Sequence, residues 1–139
     1  MFRKLLIAHD GSRGGAKALE CGLELARRLG GELHMISVEE VPRFPTSVDE
    51  ILEERQEIGR LLLKIIERSR ARAQETGVTL ETHMVSGHVV PSIVEFIERG
   101  GYDLLVIGYM GHSALYNRLI GSTTDRLVEL APCKVLVVK

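Results

Sequence analysis

Asp103-Leu104-Leu105-Val106-Ile107-Gly108-Tyr109-Met110-Gly111 sets four consecutive apolar residues between an acid and a glycine. An aliphatic run without polar alternation suits a strand covered on both faces, as in the middle of a parallel sheet. A strand over Asp103–Ile107 therefore calls for helices above and below it, and the flanking chain supplies them. Upstream, Val89–Arg99 predicts a short helix entered through Pro91 and closed by Gly100-Gly101. Downstream, Gly108–Gly121 predicts a loop, Ser122–Leu130 a helix, and Lys134–Val138 a final strand.

The same alternation extends back to the start. Phe2–Ala8 predicts a buried strand running into Asp10-Gly11-Ser12. In Gly14–Leu29 the positions Ala18, Leu19, Gly22, Leu23, Ala26 and Leu29 recur at steps of three and four, which predicts a helix ended by Gly30-Gly31. Leu33–Val38 predicts a second strand, and the prolines of Val41–Ser47 predict a loop. Val48–Thr76 predicts a long helix closed by Gly77, with glutamates at its front and arginines at its back. That order suits the helix dipole, and it marks a solvated face. Val78–Val85, with Thr79, Glu81 and His83 alternating, predicts a third strand at a sheet edge.

Strands alternating with helices imply an α/β doubly wound domain, Rossmann-like, with a five-stranded parallel sheet in the order 3-2-1-4-5 and helices on both faces. Residues 1–139 are expected to form one such domain. In that order strands 1 and 4 lie side by side at the switch point, where ligands bind beyond the carboxyl ends of the strands. The loops that matter are then Ala8–Ser12 and Gly108–Ser122.

Composition narrows the function. With 18 basic and 19 acidic residues the formal net charge is −1, so a general affinity for nucleic acid is not expected. No stretch approaches the roughly 20 apolar residues of a membrane span. Asp10 and the following glycines interrupt the cationic, apolar start too early for a signal peptide, so a cytoplasmic protein is expected. Cys21 and Cys133 form no C-x-x-C pair and are expected to be small core residues. The histidines show no zinc spacing, and His34 and His83, inside strands, are expected to be structural.

Two familiar phosphate loops are missing: there is no G-x-x-x-x-G-K-[ST], and no G-x-G-x-x-G follows the first strand. The segment that carries chemistry is Gly108-Tyr109-Met110-Gly111, nine residues, then Gly121-Ser122-Thr123-Thr124. Glycines let backbone N–H groups approach a ligand closely. A helix opening at Ser122 offers free N–H donors and a positive dipole end, and three hydroxyls add to them. Each feature alone could be a strand end, a turn or a helix cap. Together, at a switch point, they favour a polyphosphate. A receiver domain of the same topology is excluded, because the third strand ends in Val85-Ser86-Gly87 without a phosphoacceptor aspartate.

With this spacing the sequence resembles the universal stress proteins, whose ATP-binding members carry G-x2-G-x9-G-[ST] after the fourth strand. Gly108, Gly111, Gly121 and Ser122 meet the pattern. The likeness covers the whole chain, from Asp10-Gly11-Ser12 to Ala131-Pro132-Cys133-Lys134-Val135-Leu136-Val137-Val138, with Lys134 where a proline is common. The resemblance implies the adenine nucleotide α-hydrolase-like fold and ATP held with Mg2+. It implies that Asp10 sits near the ribose and the phosphate-bound metal, that Ala8 and His9 line the pocket, and that Val38 meets adenine through its backbone. Gly108 and Gly111 would pass beside the ribose and phosphates, and Gly121, Ser122, Thr123 and Thr124 would hold the phosphates.

The expected function is a regulatory ATP-binding module of the stress response, offering a nucleotide-dependent surface to an unidentified protein. A slow ATPase or phosphotransferase is the alternative from another class, with His9, His112 and Asp10 the available bases. A binder of AMP, a cyclic nucleotide or another adenylate is a third. His112 and Arg118 stand inside the glycine loop, as solvated charges or as groups closing over a triphosphate. The apolar strand 134–138 falls at a sheet edge, and a homodimer through it is expected.

Overall fold

The computed structural model describes residues 2–40, 47–109 and 122–139. Along the chain run β1 (Lys4–Ala8), α1 (Arg13–Leu29), β2 (Glu32–Glu40), α2 (Val48–Thr76), β3 (Leu80–Gly87), α3 (Val89–Gly100), β4 (Leu104–Gly108), α4 (Ser122–Leu130) and β5 (Lys134–Val138). The sheet order is β3-β2-β1-β4-β5, with every neighbouring pair parallel. This is the doubly wound order that the alternation implied, with β3 and β5 at its edges.

Period-two alternation in the strands makes two cores. Leu5 and Ile7 of β1 face α1 and α2, with Leu33, Met35, Leu104 and Val106 beside them. Leu6 faces the other way with Ile36, Leu105 and Ile107, under α3 and α4. Leu5, Leu6 and Ile7 have no exposed surface, as expected of the strand with a partner on each side. Ser12 and Ser47 cap α1 and α2 by accepting from the N–H of Gly15 and Glu50. Gly30, Gly77 and Gly101 end α1, α2 and α3 in the left-handed region that only glycine enters at no cost.

Four details differ from expectation. β1 starts at Lys4 rather than Phe2, and β4 at Leu104 rather than Asp103. The Asp103 carboxylate accepts from the N–H groups of Arg3 (2.8 Å) and Lys4 (3.1 Å), tying the two strand entries from outside the ladder. β2 and β3 reach further than the apolar pattern, because their register continues through Glu39↔Ser86 to Glu40↔Gly87. The stripe predicted for α2 is buried only in its second half, at Leu62, Ile66, Ser69 and Ala73. Val48 is 72% exposed and Leu52 52%. Length explains this. The 29 residues of α2 extend about 43 Å, while the nine of β2 extend about 30 Å, so the front of α2 overhangs the sheet. Cys21 and Cys133 are free, as expected, and half-buried, each packed against one of the two cores. No helix among the described residues is long and apolar enough to cross a membrane.

Candidate functional site

Beyond the carboxyl ends of β1 and β4 lies a cleft of about 780 Å3, within the usual range for small-ligand sites. Ala8, His9, Asp10, Val38, Gly108, Ser122, Thr123 and Thr124 all line it. Of the residues singled out in the sequence, Gly111 and Gly121 lie outside the described residues, as do His112 and Arg118.

The floor comes from the exit of β1. His9 N–H donates to Ile36 O (3.1 Å) and extends the ladder one residue past the strand. The buried Ser37 hydroxyl donates to His9 O (2.9 Å), fixing the next peptide as well. The His9 ring is buried, and its Nδ1 accepts from Gly11 N–H (3.1 Å). Burial pushes its pKa below the ordinary histidine value, and the neighbouring Asp10 carboxylate only partly offsets this. His9 is therefore a neutral imidazole whose Nδ1 lone pair is already engaged, which makes it a poor general base. Gly15 makes room for it: a Cβ there would run into the His9 ring. Asp10 is exposed at the mouth, and its Oδ1 accepts from Ser12 N–H (2.9 Å), an Asx turn leading into α1.

The opposite side comes from β4 and α4. Gly108 is required by packing. A Cβ on it would stand 2.5–2.7 Å from the backbone of Gly14, at the start of α1. Thr124 is buried, and its hydroxyl donates to Gly108 O (2.8 Å), pinning the first turn of α4 to the end of β4. Its proton is spent on the fold, whereas Ser122 and Thr123 are more open. In this topology helices begin at the end where the parallel strands finish, so the first turns of α1, α3 and α4 all supply cleft lining.

The sequence reading missed part of the lining. Ile58, Leu61 and Leu62 of α2 form an apolar wall, His88 and Val89 open α3 beside it, and Arg126 adds a cation one turn into α4. His88 was legible in principle, since it follows the end of β3. The α2 wall was not, because a periodic stripe does not say which part of a long helix outruns the sheet.

A doubly wound α/β domain with a cleft at its switch point is the class that these features define. The chain belongs to the universal stress protein family, whose model matches residues 1–139. It is 33% identical over 151 residues to universal stress protein YxiE of Bacillus subtilis, covering the whole of both chains. Among solved structures it superposes on universal stress protein UspA from Lactobacillus plantarum with a TM-score of 0.89, at 22% identity, covering 99% of this chain and 98% of that one. A universal stress protein in complex with cAMP gives 0.77 at 24% identity (99% and 96% covered). An Arabidopsis thaliana family member with AMP bound gives 0.68 at 20% identity (99% and 91% covered). At these identities the superpositions establish the fold.

Proposed function

We propose that this chain is a regulatory module operated by ATP, bound with Mg2+ in the cleft between the ends of β1 and β4. The observation that carries the reading is the convergence of two chemically different surfaces on one cleft. His9, Asp10, Ser122 and Thr123 bring polar groups to its lining, and Val38, Ile58, Leu61 and Leu62 bring apolar ones. A nucleotide combines the same two chemistries, phosphates for the polar groups and a base for the apolar ones. Asp10 would meet the phosphate-bound Mg2+, and Gly108, Gly111 and Gly121 would let the backbone approach the ribose and phosphates. Occupancy would set the surface offered to a protein partner in the cytoplasm, with the module acting as a homodimer paired through β5.

A second reading, a site for AMP or a cyclic nucleotide, is favoured by the two structural neighbours that hold AMP and cAMP. A third, hydrolysis of ATP, is weakened by the engaged Nδ1 of His9. Turnover well below the median enzyme rate of about 10 s⁻¹ is expected.

Titration calorimetry with ATP, ADP, AMP and cAMP, with and without Mg2+, separates these readings. Wild type is expected to bind ATP most tightly. Gly121→Val should remove most of that binding by placing a side chain where a phosphate must approach. Ser122→Ala should cost about threefold to a hundredfold, the range for losing one hydroxyl bond to a neutral or a charged group. Wild-type affinity in Gly121→Val would sink the proposal. Tighter binding of AMP or cAMP than of ATP would replace the ligand and keep the cleft.

A further inference from the structure

Outside the cleft lining, toward the amino-terminal end of the sheet, strand pairing gathers a set of side chains that sequence spacing hides. The register sets His34 of β2 beside Glu81 of the edge strand β3, with His83 two residues further on the same face. His34 Nδ1 lies 2.9 Å from Glu81 Oε2 and 3.0 Å from His83 Nε2, and Glu81 Oε2 lies 3.8 Å from His83 Nε2. The Tyr102 hydroxyl is also 3.0 Å from His34 Nδ1. A ring nitrogen carries one proton or one lone pair, so His34 Nδ1 cannot satisfy three neighbours by hydrogen bonding.

The triangle of donors suits a metal ion. Ligands at the zinc–nitrogen distance of 2.0–2.1 Å in a tetrahedron stand about 3.3 Å apart, and the three separations here bracket that value. A carboxylate also stands on the outer side: His34 Nε2, the nitrogen facing away, lies 3.6 Å from Glu32 Oε1, just beyond hydrogen-bond range, where the partner of a ligating imidazole is usually found. Rings hold the ligands: Tyr102 meets His34 edge-on at 5.1 Å, and Phe96 of α3 packs on His83 at 4.8 Å between centroids.

The charges around the cluster come from three strands. Glu32 and Glu81 oppose Lys4, whose Nζ donates to Gly100 O (2.6 Å) and lies over the Tyr102 ring. Two carboxylates against one ammonium leave an excess of negative charge for a cation. The Tyr102 hydroxyl stands beside the cluster as a hydrogen-bonding neighbour of His34. His34 is buried, while Glu81 is exposed at the sheet edge, which leaves a side open for entry and for water as a fourth ligand.

We propose that His34, Glu81 and His83 form a binding site for a divalent transition-metal ion of the zinc type. Two imidazoles and one carboxylate select such ions over Mg2+ and Ca2+, which prefer oxygen donors throughout. The site bridges β2 to the edge strand β3. None of the three ligands lines the cleft, whose nearest lining residue on β2 is Ile36, about 7 Å along the strand from His34, so the two sites share no residue.

The test is zinc titration of the nucleotide-free chain against a chromophoric chelator, with Co2+ absorption as the report of coordination geometry. Wild type is expected to take one zinc per chain and to give a tetrahedral Co2+ spectrum. Glu32→Gln should weaken zinc about 10- to 100-fold, as outer-shell changes do, and His83→Ala by more than that. Glu81→Gln, at an exposed position, guards against a folding defect in the histidine variants, and circular dichroism checks each protein. A Cys21→Ser/Cys133→Ser variant and His88→Ala should bind zinc as wild type does, and Mg-ATP binding should be unchanged in His83→Ala. The proposal is overturned if wild type binds no zinc at micromolar concentration. It is equally overturned if His83→Ala and Glu81→Gln bind zinc undiminished.

Discussion

At position 9 a side chain that titrates near neutrality has been enclosed uncharged. Its folded pKa lies below the value of 6.5 found in an unfolded chain, first because burial disfavours the imidazolium and only then offset by Asp10. The unfolded chain therefore binds the extra proton more readily. The stability this contributes is fully present above pH 6.5 and is lost as the pH falls through 6.5 towards the lower folded value. His83 is displaced the same way, by burial and then by His34. Denaturant titrations from pH 7.5 to 5, with a chelator present, should show wild type losing stability on acidification. His9→Asn should lose less across that interval. The slope is the readout, because the close fit of His9 to Gly15 makes any substitution costly in absolute terms. An identical slope in the variant would show that the acid sensitivity lies elsewhere.

Among the elements, the junction of α1 with β4 depends on one missing side chain. At Gly108 a methyl group would meet backbone atoms of Gly14, which cannot swing aside as a flexible side chain can. Gly108→Ala should cost about 1–3 kcal/mol, as overpacking typically does, measured as a shift in urea midpoint without ligand. Unchanged stability would mean that α1 moves away freely. The sequence announced Gly108 as part of a ligand loop, but it could not reveal this contact between residues 94 positions apart. The order of elements was legible because period and punctuation are local. α2, α4 and β5 run over Val48–Thr76, Ser122–Leu130 and Lys134–Val138, as expected. The cleft was legible as far as the Asp10 turn and the start of α4, which topology brings together. The committed hydroxyl of Thr124, the wall from α2 and the grouping of His34 with Glu81 and His83 depend on register and packing, which no spacing along one chain encodes.

For the molecule as a whole, the sheet leaves two edge strands, β3 and β5, without a partner strand on their outer side. β3 presents Thr82, Met84 and Ser86 among its residues, and β5 presents an almost wholly aliphatic strand that is only half-buried in this chain. An apolar edge with open backbone groups is a template for pairing. A self-complementary contact about a two-fold axis is the simplest closed solution. Light scattering at micromolar protein should give twice the chain mass, and Val137→Lys should give the single mass with the fold retained. A monomeric wild type would count decisively against the dimer. The sheet also acts as a partition. The residues packed on its α1–α2 side and those on its α3–α4 side form separate interiors, yet Leu62 and Ile65 from near the first and Ile36, Val90 and Leu127 from the second all reach the wall of one cleft. Whatever lodges there would touch both compartments at once, as a keystone touches both sides of an arch.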